Sequence, residues 1–397
     1  MPKPRWIVLI VGLLLSASAW GTEFNVRFID NDKGEFAAQG WMTPDSAFQR
    51  NVQAALRLWG ARLNTDAVLR VNIEASNSSQ VLRAGGSGPL GHLLEVRPDG
   101  HKVWEHSALS RIRTGTNPNS RDYELWVGFD VAFLLANYWI DPEPETRLLD
   151  APTNKTDLIW VIMHELGHAL GFDGFRSRIP NTAGYGKLTN NDMSIFDSFT
   201  QLAGNGAIAD ASGNPTQIRF TGPTAAALLG EQVPLFHARE DDATWRATNF
   251  YHLGDCESPA VVKQALMRGC NSPAGRAHIT ALDVAIIADL GYPVNPVDAN
   301  YTDPTGVLRL PFVIVPGMGV LEVDMKLVDG AALIFELTRA DAIPLGTDTP
   351  ARFVSASGRV TVPKLDVDWG NRTETFVIEL QLLPGDGQMR FQVVDVR

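Results

Sequence analysis

The chain of 397 residues carries 34 basic and 45 acidic side chains, a net charge of −11, with 45% hydrophobic and 9% aromatic content. Such a composition supports a globular protein with a substantial core and room for two or three domains. The acidic balance, without any basic cluster, speaks against nucleic acid as a partner.

At the N-terminus, MPKPRWIVLIVGLLLSASAWG places Lys3 and Arg5 ahead of an apolar run from Trp6 to Leu15, followed by small residues at Ala17 and Ala19. Residues 1–21 read as a secretory signal peptide, because the apolar run is too short to cross a bilayer. The protein is therefore expected to be secreted or periplasmic, and no other segment reads as an integral membrane span. FNVRFID is a predicted strand. SAFQRNVQAALRLWGARL, introduced by Thr43, Pro44 and Asp45, is a predicted amphipathic helix, and VLRVNIEA, LLEVR and YELWVGF are predicted strands.

The most informative stretch is DLIWVIMHELGHALGFDGF, Asp157 to Phe175. In a helix, His164 and His168 stand one turn apart on one face, so both imidazoles can reach a single metal ion, with Glu165 beside it. Zinc lowers the pKa of a bound water toward neutrality, and an adjacent carboxylate can move that water's proton to a leaving amine; the chemistry this supports is peptide hydrolysis. Leu158, Ile159, Val161, Ile162, Leu166 and Leu170 make the helix apolar nearly all round. A core helix with two hydrogen-bonded histidines is the other reading of a bare His-Glu-x-x-His. It has to bury two imidazoles and a carboxylate, which is costly unless something pairs them. Gly167 and Gly171 each cost about 1 kcal/mol relative to alanine in a helix and call for a reason; Gly171 sits where the helix could end.

These residues resemble the metzincin metallopeptidases, whose zinc helix reads His-Glu-x-x-His-x-x-Gly-x-x-His and turns at the glycine to bring in a third ligand. The match runs through His164, Glu165, His168 and Gly171, but the third-ligand position holds Gly174. Bacterial matrixin-like and leishmanolysin-like members interrupt the motif with a long insertion and resume it with a histidine shortly before a methionine turn. IFDSF, IRFTGPTAAALLG, YHLGD, ALM and ITALDVAIIADLGY follow in the order such proteins show. The resemblance implies an α+β metzincin-type catalytic domain, a twisted mixed sheet with an active-site helix, over residues 22–294, with an insertion over 172–251. It further implies Zn2+ as cofactor, His164, His168 and His252 as metal ligands, Glu165 as catalytic base then acid, and Met267 as the supporting turn. Its edge strand would pair with an extended protein or peptide substrate. Asp173 remains open as the third ligand, one residue out of register, and Asp192, Asp197 and His237 are further candidates.

Cys256 and Cys270, the only two cysteines, bracket the segment from His252 to Met267. In an exported protein they are expected to form a disulfide. In ITALDVAIIADLGY, Thr280 and Asp283 form a capping-box-like start, so Asp283 reads as structural. PVNPVDANYTDP is linker-like. Residues 305–397 alternate as strands and repeat, aligning Pro311 with Pro363 and Phe335 with Phe391, which suggests a duplicated all-β accessory region, a sandwich or two packed small sheets. An exported zinc endopeptidase is the function expected; the alternatives are a secreted binding protein with a relic zinc site whose β region binds a partner, and a zinc peptidase with Asp173 as third ligand.

Overall fold

The structure, a computed structural model, describes residues 22–75, 84–144, 151–176, 188, 190–202, 218–236, 250–254, 258, 260–269, 277, 279–295, 299–302, 305–315, 319–343, 351–354, 356–368, 373–384 and 389–397. The expected signal peptide, His237, both cysteines and therefore their expected disulfide lie outside the described residues. The chain divides into two compact units, one of Gly21–Pro142 with Asp150–Asn295, the other built from Pro296–Arg397.

The first unit is mixed α/β. After β1 (Glu23–Ile29) comes helix α1 (Ala47–Gly60), capped by Ser46, whose hydroxyl accepts the Gln49 N–H, rather than by the Thr43 to Asp45 segment. Phe48, Val52, Ala55, Leu56 and Trp59, three and four residues apart, form its buried face. Phe48 stacks on Trp41 with ring centroids 4.6 Å apart and meets Phe129 edge-on. Next come β2 (Val68–Ala75), β3 (Ala84–Ser87), β4 (Leu90–Val96), β5 (Lys102–His106) and β6 (Leu125–Phe129). The main sheet has the order β1-β2-β6-β3, with the first three parallel and β3 antiparallel at the edge. β4 and β5 pair in a second sheet, joined on the far side of β5 by β7 (Asp192–Ser194).

Helix α2 (Leu158–Leu170) carries the histidine motif. Asp157 caps it by accepting the Ile159 N–H, and Gly171 ends it at φ +129°, a conformation L side chains rarely adopt. It is anchored to α1, where the Trp59 indole N–H donates to the Met163 carbonyl at 2.8 Å. β3, sequence AGGS, has no apolar alternation and gives no strand signal. Gly86 is explained by proximity, since a Cβ there would overlap the Glu165 carbonyl, and so is Gly88 just beyond the strand, where a Cβ would overlap the Ala169 carbonyl. The edge strand thus lies directly along the helix.

Beyond α2 the described parts of the insertion form a small antiparallel sheet of β8 (Thr200–Leu202), β9 (Ile218–Phe220) and β10 (Val233–Pro234), with a short helix at Pro223–Leu229. Helix α3 (Ala281–Asp289) follows, opened by a capping box between Thr280 and Asp283.

The second unit is all β. β11 (Ala299–Thr302), β12 (Val307–Val315), β13 (Gly319–Asp329), β14 (Ile334–Ile343), β15 (Ala351–Val354), β16 (Arg359–Asp368), β17 (Thr373–Leu382) and β18 (Arg390–Val396) form one sheet in the order β11-β12-β13-β14-β18-β17-β16-β15. Parallel pairings β11–β16 and β12–β15 turn it back on itself into a near-barrel, which corrects the expected sandwich or pair of small sheets. The closure follows from the repeat. β11, a strand where the sequence reads as a linker, and β15 each pair with one strand of either copy, and the copies meet where Phe335 pairs with Phe391. Both prolines aligned by the repeat fall at matching register shifts, Leu310/Val313 and Val362/Leu365, where a residue without an N–H breaks no ladder bond. Leu308, Leu310, Val323, Val360, Val362 and Leu380 fill the interior. Among the described residues, no helix is long and apolar enough to cross a membrane.

Candidate metal centre

His164, His168 and His252 come together, each offering one ring nitrogen, with all three atoms within 4.8 Å of one another. The Nε2 atom of His252 lies 3.0 Å from that of His164 and 3.2 Å from that of His168. Four imidazole-range bonds of 2.0–2.1 Å around a tetrahedral zinc would set such nitrogens roughly 3.3 Å apart. His164 and His252 are buried and His168 is half-buried.

The opposite ring nitrogens fix the tautomers. His164 Nδ1 lies 2.9 Å from the Leu266 carbonyl, and His168 Nδ1 lies 2.7 Å from the Phe172 carbonyl. A carbonyl only accepts, so each Nδ1 carries the proton and each Nε2 presents a lone pair. Burial, with the like charge of His168 adding to it, pushes His164 down to about 3, so it stays neutral at ordinary pH. A proton on His252 could serve one of the two facing lone pairs, whereas a cation at the centre serves all three. The donor set therefore fits a metal ion.

Two backbone segments hold His252 in place. The Phe236 N–H donates to the His252 carbonyl, and the Leu253 N–H to the Met267 carbonyl at 2.7 Å. Met267 lies beneath α2, and a Cβ on Gly167 would overlap its Sδ. That gives the helical glycine its reason: the thioether occupies the place of the missing methyl. Asp283 anchors the same turn. Its carboxylate accepts the Leu266 N–H at 2.8 Å and the Met267 N–H at 3.1 Å while also closing the capping box through the Thr280 N–H and hydroxyl. The Leu266 peptide thereby links Asp283 on one side to His164 on the other. Asp283 was legible as a cap, but its hold on this turn was not, since the partners are backbone groups with no sequence signature.

Glu165 directly follows His164 on α2 and is half-buried, with its carboxyl raised to about 8 by burial against the opposing effect of the Gly86 N–H. The other aspartate candidates lie elsewhere. Asp173 accepts the N–H of Gly174 in the turn after the helix and is not part of the histidine group. Asp192 accepts the Trp104 indole N–H. Asp197 is buried among hydrogen-bond donors of the insertion. No family model matches the chain, and no curated protein matches it.

Proposed function

We propose that the protein is a zinc-dependent endopeptidase resembling the metzincins, with His164, His168 and His252 as zinc ligands and Glu165 as general base and then general acid. The observation that carries this reading is the convergence of three imidazole Nε2 atoms, two with their Nδ1 protons committed to carbonyls and borne on a helix where Glu165 directly follows His164. A zinc ion held by three neutral imidazoles supplies Lewis acidity, polarising a carbonyl oxygen and bringing the pKa of nearby water toward neutrality.

Glu165 takes a proton from the attacking water on its carboxylate and returns it to the leaving amine nitrogen. A carboxyl raised by burial suits both directions, and a cation at the three nitrogens draws it back toward the ionised form needed first. Asp157, at the start of α2, and Trp59, at the Met163 carbonyl in its middle, fix the helix so that Glu165 and the histidines keep their respective faces. Edge strand β3 suits an extended substrate. Among the described residues no strand pairs with its outer side, and it runs against the helix next to Glu165, so a peptide adding to it lies beside the histidine cluster. The near-barrel unit is the accessory region of this reading, and within the described residues it contributes nothing to the metal-binding group.

Metal analysis of the purified protein, together with mass-spectrometric mapping of cleaved peptides before and after chelation, tests the proposal. One zinc per chain and cleavage that is lost on chelation and restored by zinc are expected. A protein that retains no zinc, or cleavage indifferent to chelation, overturns it.

A further inference from the structure

Gly174 is the place where the resemblance leads one to look for a third ligand. A Cβ built there would stand 2.5 Å from Cγ of Asp197, so the carboxylate occupies the space a side chain would need. Asp197 is 1% exposed. Its Oδ2 accepts the Phe175 N–H at 2.8 Å and the Ser194 N–H at 3.0 Å. Its Oδ1 accepts the Tyr251 hydroxyl at 2.9 Å, with Arg176 Nε 3.5 Å away. The Tyr251 hydroxyl in turn accepts the Arg176 N–H at 2.7 Å.

These donors come from three separate places in the chain. Phe175 and Arg176 belong to the departure of the insertion from α2, Ser194 to its middle, and Tyr251 to its return. Tyr251 is fully buried, with its ring centroid 5.8 Å from that of Phe196, and the residue after it is His252. On the departing side, the Phe172 carbonyl accepts from His168, and the Asp173 carbonyl accepts the Ser194 hydroxyl at 2.7 Å. One buried carboxylate therefore fixes both where the excursion leaves the helix and where it returns, and both ends carry or orient a histidine of the cluster.

We propose that Asp197 is a positioning residue of the metal centre, holding His252 against His164 and His168 through Tyr251. The proposal rests on the reading of the three histidines as metal ligands. Its physical content is preorganisation. About 80 residues separate Gly171 from His252, and without the Asp197 anchor the metal itself must order the returning segment, so part of its binding free energy is spent on closing the loop. Outer-shell partners of this kind typically change metal affinity by about 10–100-fold.

The test is zinc affinity of the full protein by competition with a chromophoric chelator, with the visible spectrum of the cobalt-substituted protein as a report on ligand geometry. Asp197→Asn should bind zinc about 10–100-fold more weakly and give a weakened or shifted cobalt spectrum. Tyr251→Phe, which removes only the linking hydroxyl and keeps the buried ring, should move both readouts in the same direction by a smaller factor. Asp289→Asn is the control: Asp289 accepts the Thr224 and Ala225 N–H groups of the short insertion helix, so its loss costs stability without touching the path to His252. Wild-type affinity and spectrum in Tyr251→Phe, or a loss in Asp197→Asn no larger than in Asp289→Asn, overturns the positioning role while leaving the metal centre standing. A wild-type protein that binds neither ion overturns both.

Discussion

Replacing Gly167 by alanine gives opposite outcomes depending on what lies beneath the helix. In an ordinary helix interior the change gains about 1 kcal/mol, because alanine loses less backbone freedom on folding. Here the new methyl would overlap Met267 Sδ and stand 3.1 Å from its Cε and 3.4 Å from its Cγ. Carbon contacts relax to about 3.5–4 Å, so the thioether has to move by more than an ångström. It has little freedom to do so, since Met267 is fully buried and its N–H and carbonyl are held by Asp283 and Leu253. Overpacking of this kind costs about 1–3 kcal/mol, leaving Gly167→Ala a net loss of up to about 2 kcal/mol despite its better propensity. Urea denaturation of the metal-free protein measures it. In the Met267→Ala background, itself destabilised by roughly 2–5 kcal/mol through its cavity, the obstruction is gone and Gly167→Ala should become stabilising by up to about 1 kcal/mol. A gain from Gly167→Ala in the wild-type background, or the same sign in both, would refute the packing of Met267 against this glycine.

Two further predictions concern the histidines. His252→Ala leaves two ligands and should abolish tight zinc binding in equilibrium dialysis, whereas Asp173→Ala should retain it, because the Asp173 carboxylate serves the turn at Gly174; the reverse pattern would assign the third ligand to Asp173. His164 is pushed by burial from 6.5 to about 3, so in the metal-free protein it stays neutral when folded and protonates when unfolded. Its contribution to stability is whole above about pH 6.5 and is lost as pH falls toward 3, which amounts to about 2 kcal/mol at pH 5. The change in unfolding free energy of chelated protein between pH 7 and pH 5 should therefore be about 2 kcal/mol more favourable in His164→Asn than in wild type, and an identical change in both contradicts this.

What the sequence made legible was whatever has a side-chain period or a local motif. The one-turn spacing of His164 and His168 and the end of the helix at Gly171 were readable, as were the Thr280–Asp283 cap and the α1 stripe from Phe48 to Trp59. The strand β3 was not, because Ala84, Gly85, Gly86 and Ser87 carry no apolar alternation; Gly86 answers to the nearness of α2, which is a tertiary fact. The return of the chain to His252 was legible only through the resemblance, in the order of YHLGD and ALM after the helix, and not from any side-chain period. It depends on Asp197 meeting Tyr251 across 54 residues and on the backbone pairing of Leu253 with Met267. In the second unit the repeat was visible, and the matching register shifts at Pro311 and Pro363 accord with it. The pairing of β11 and β15 with both copies was not visible, since alternation assigns a residue to a face and leaves the neighbouring strand undetermined.

The most direct test of the account is the variant Glu165→Gln assayed beside wild type for zinc content and peptide hydrolysis. The substitution keeps the size of the side chain and all three histidines while removing the group that moves the proton. One zinc per chain is expected in both proteins, with hydrolysis lost in the variant alone. Hydrolysis at the wild-type rate by Glu165→Gln would contradict it.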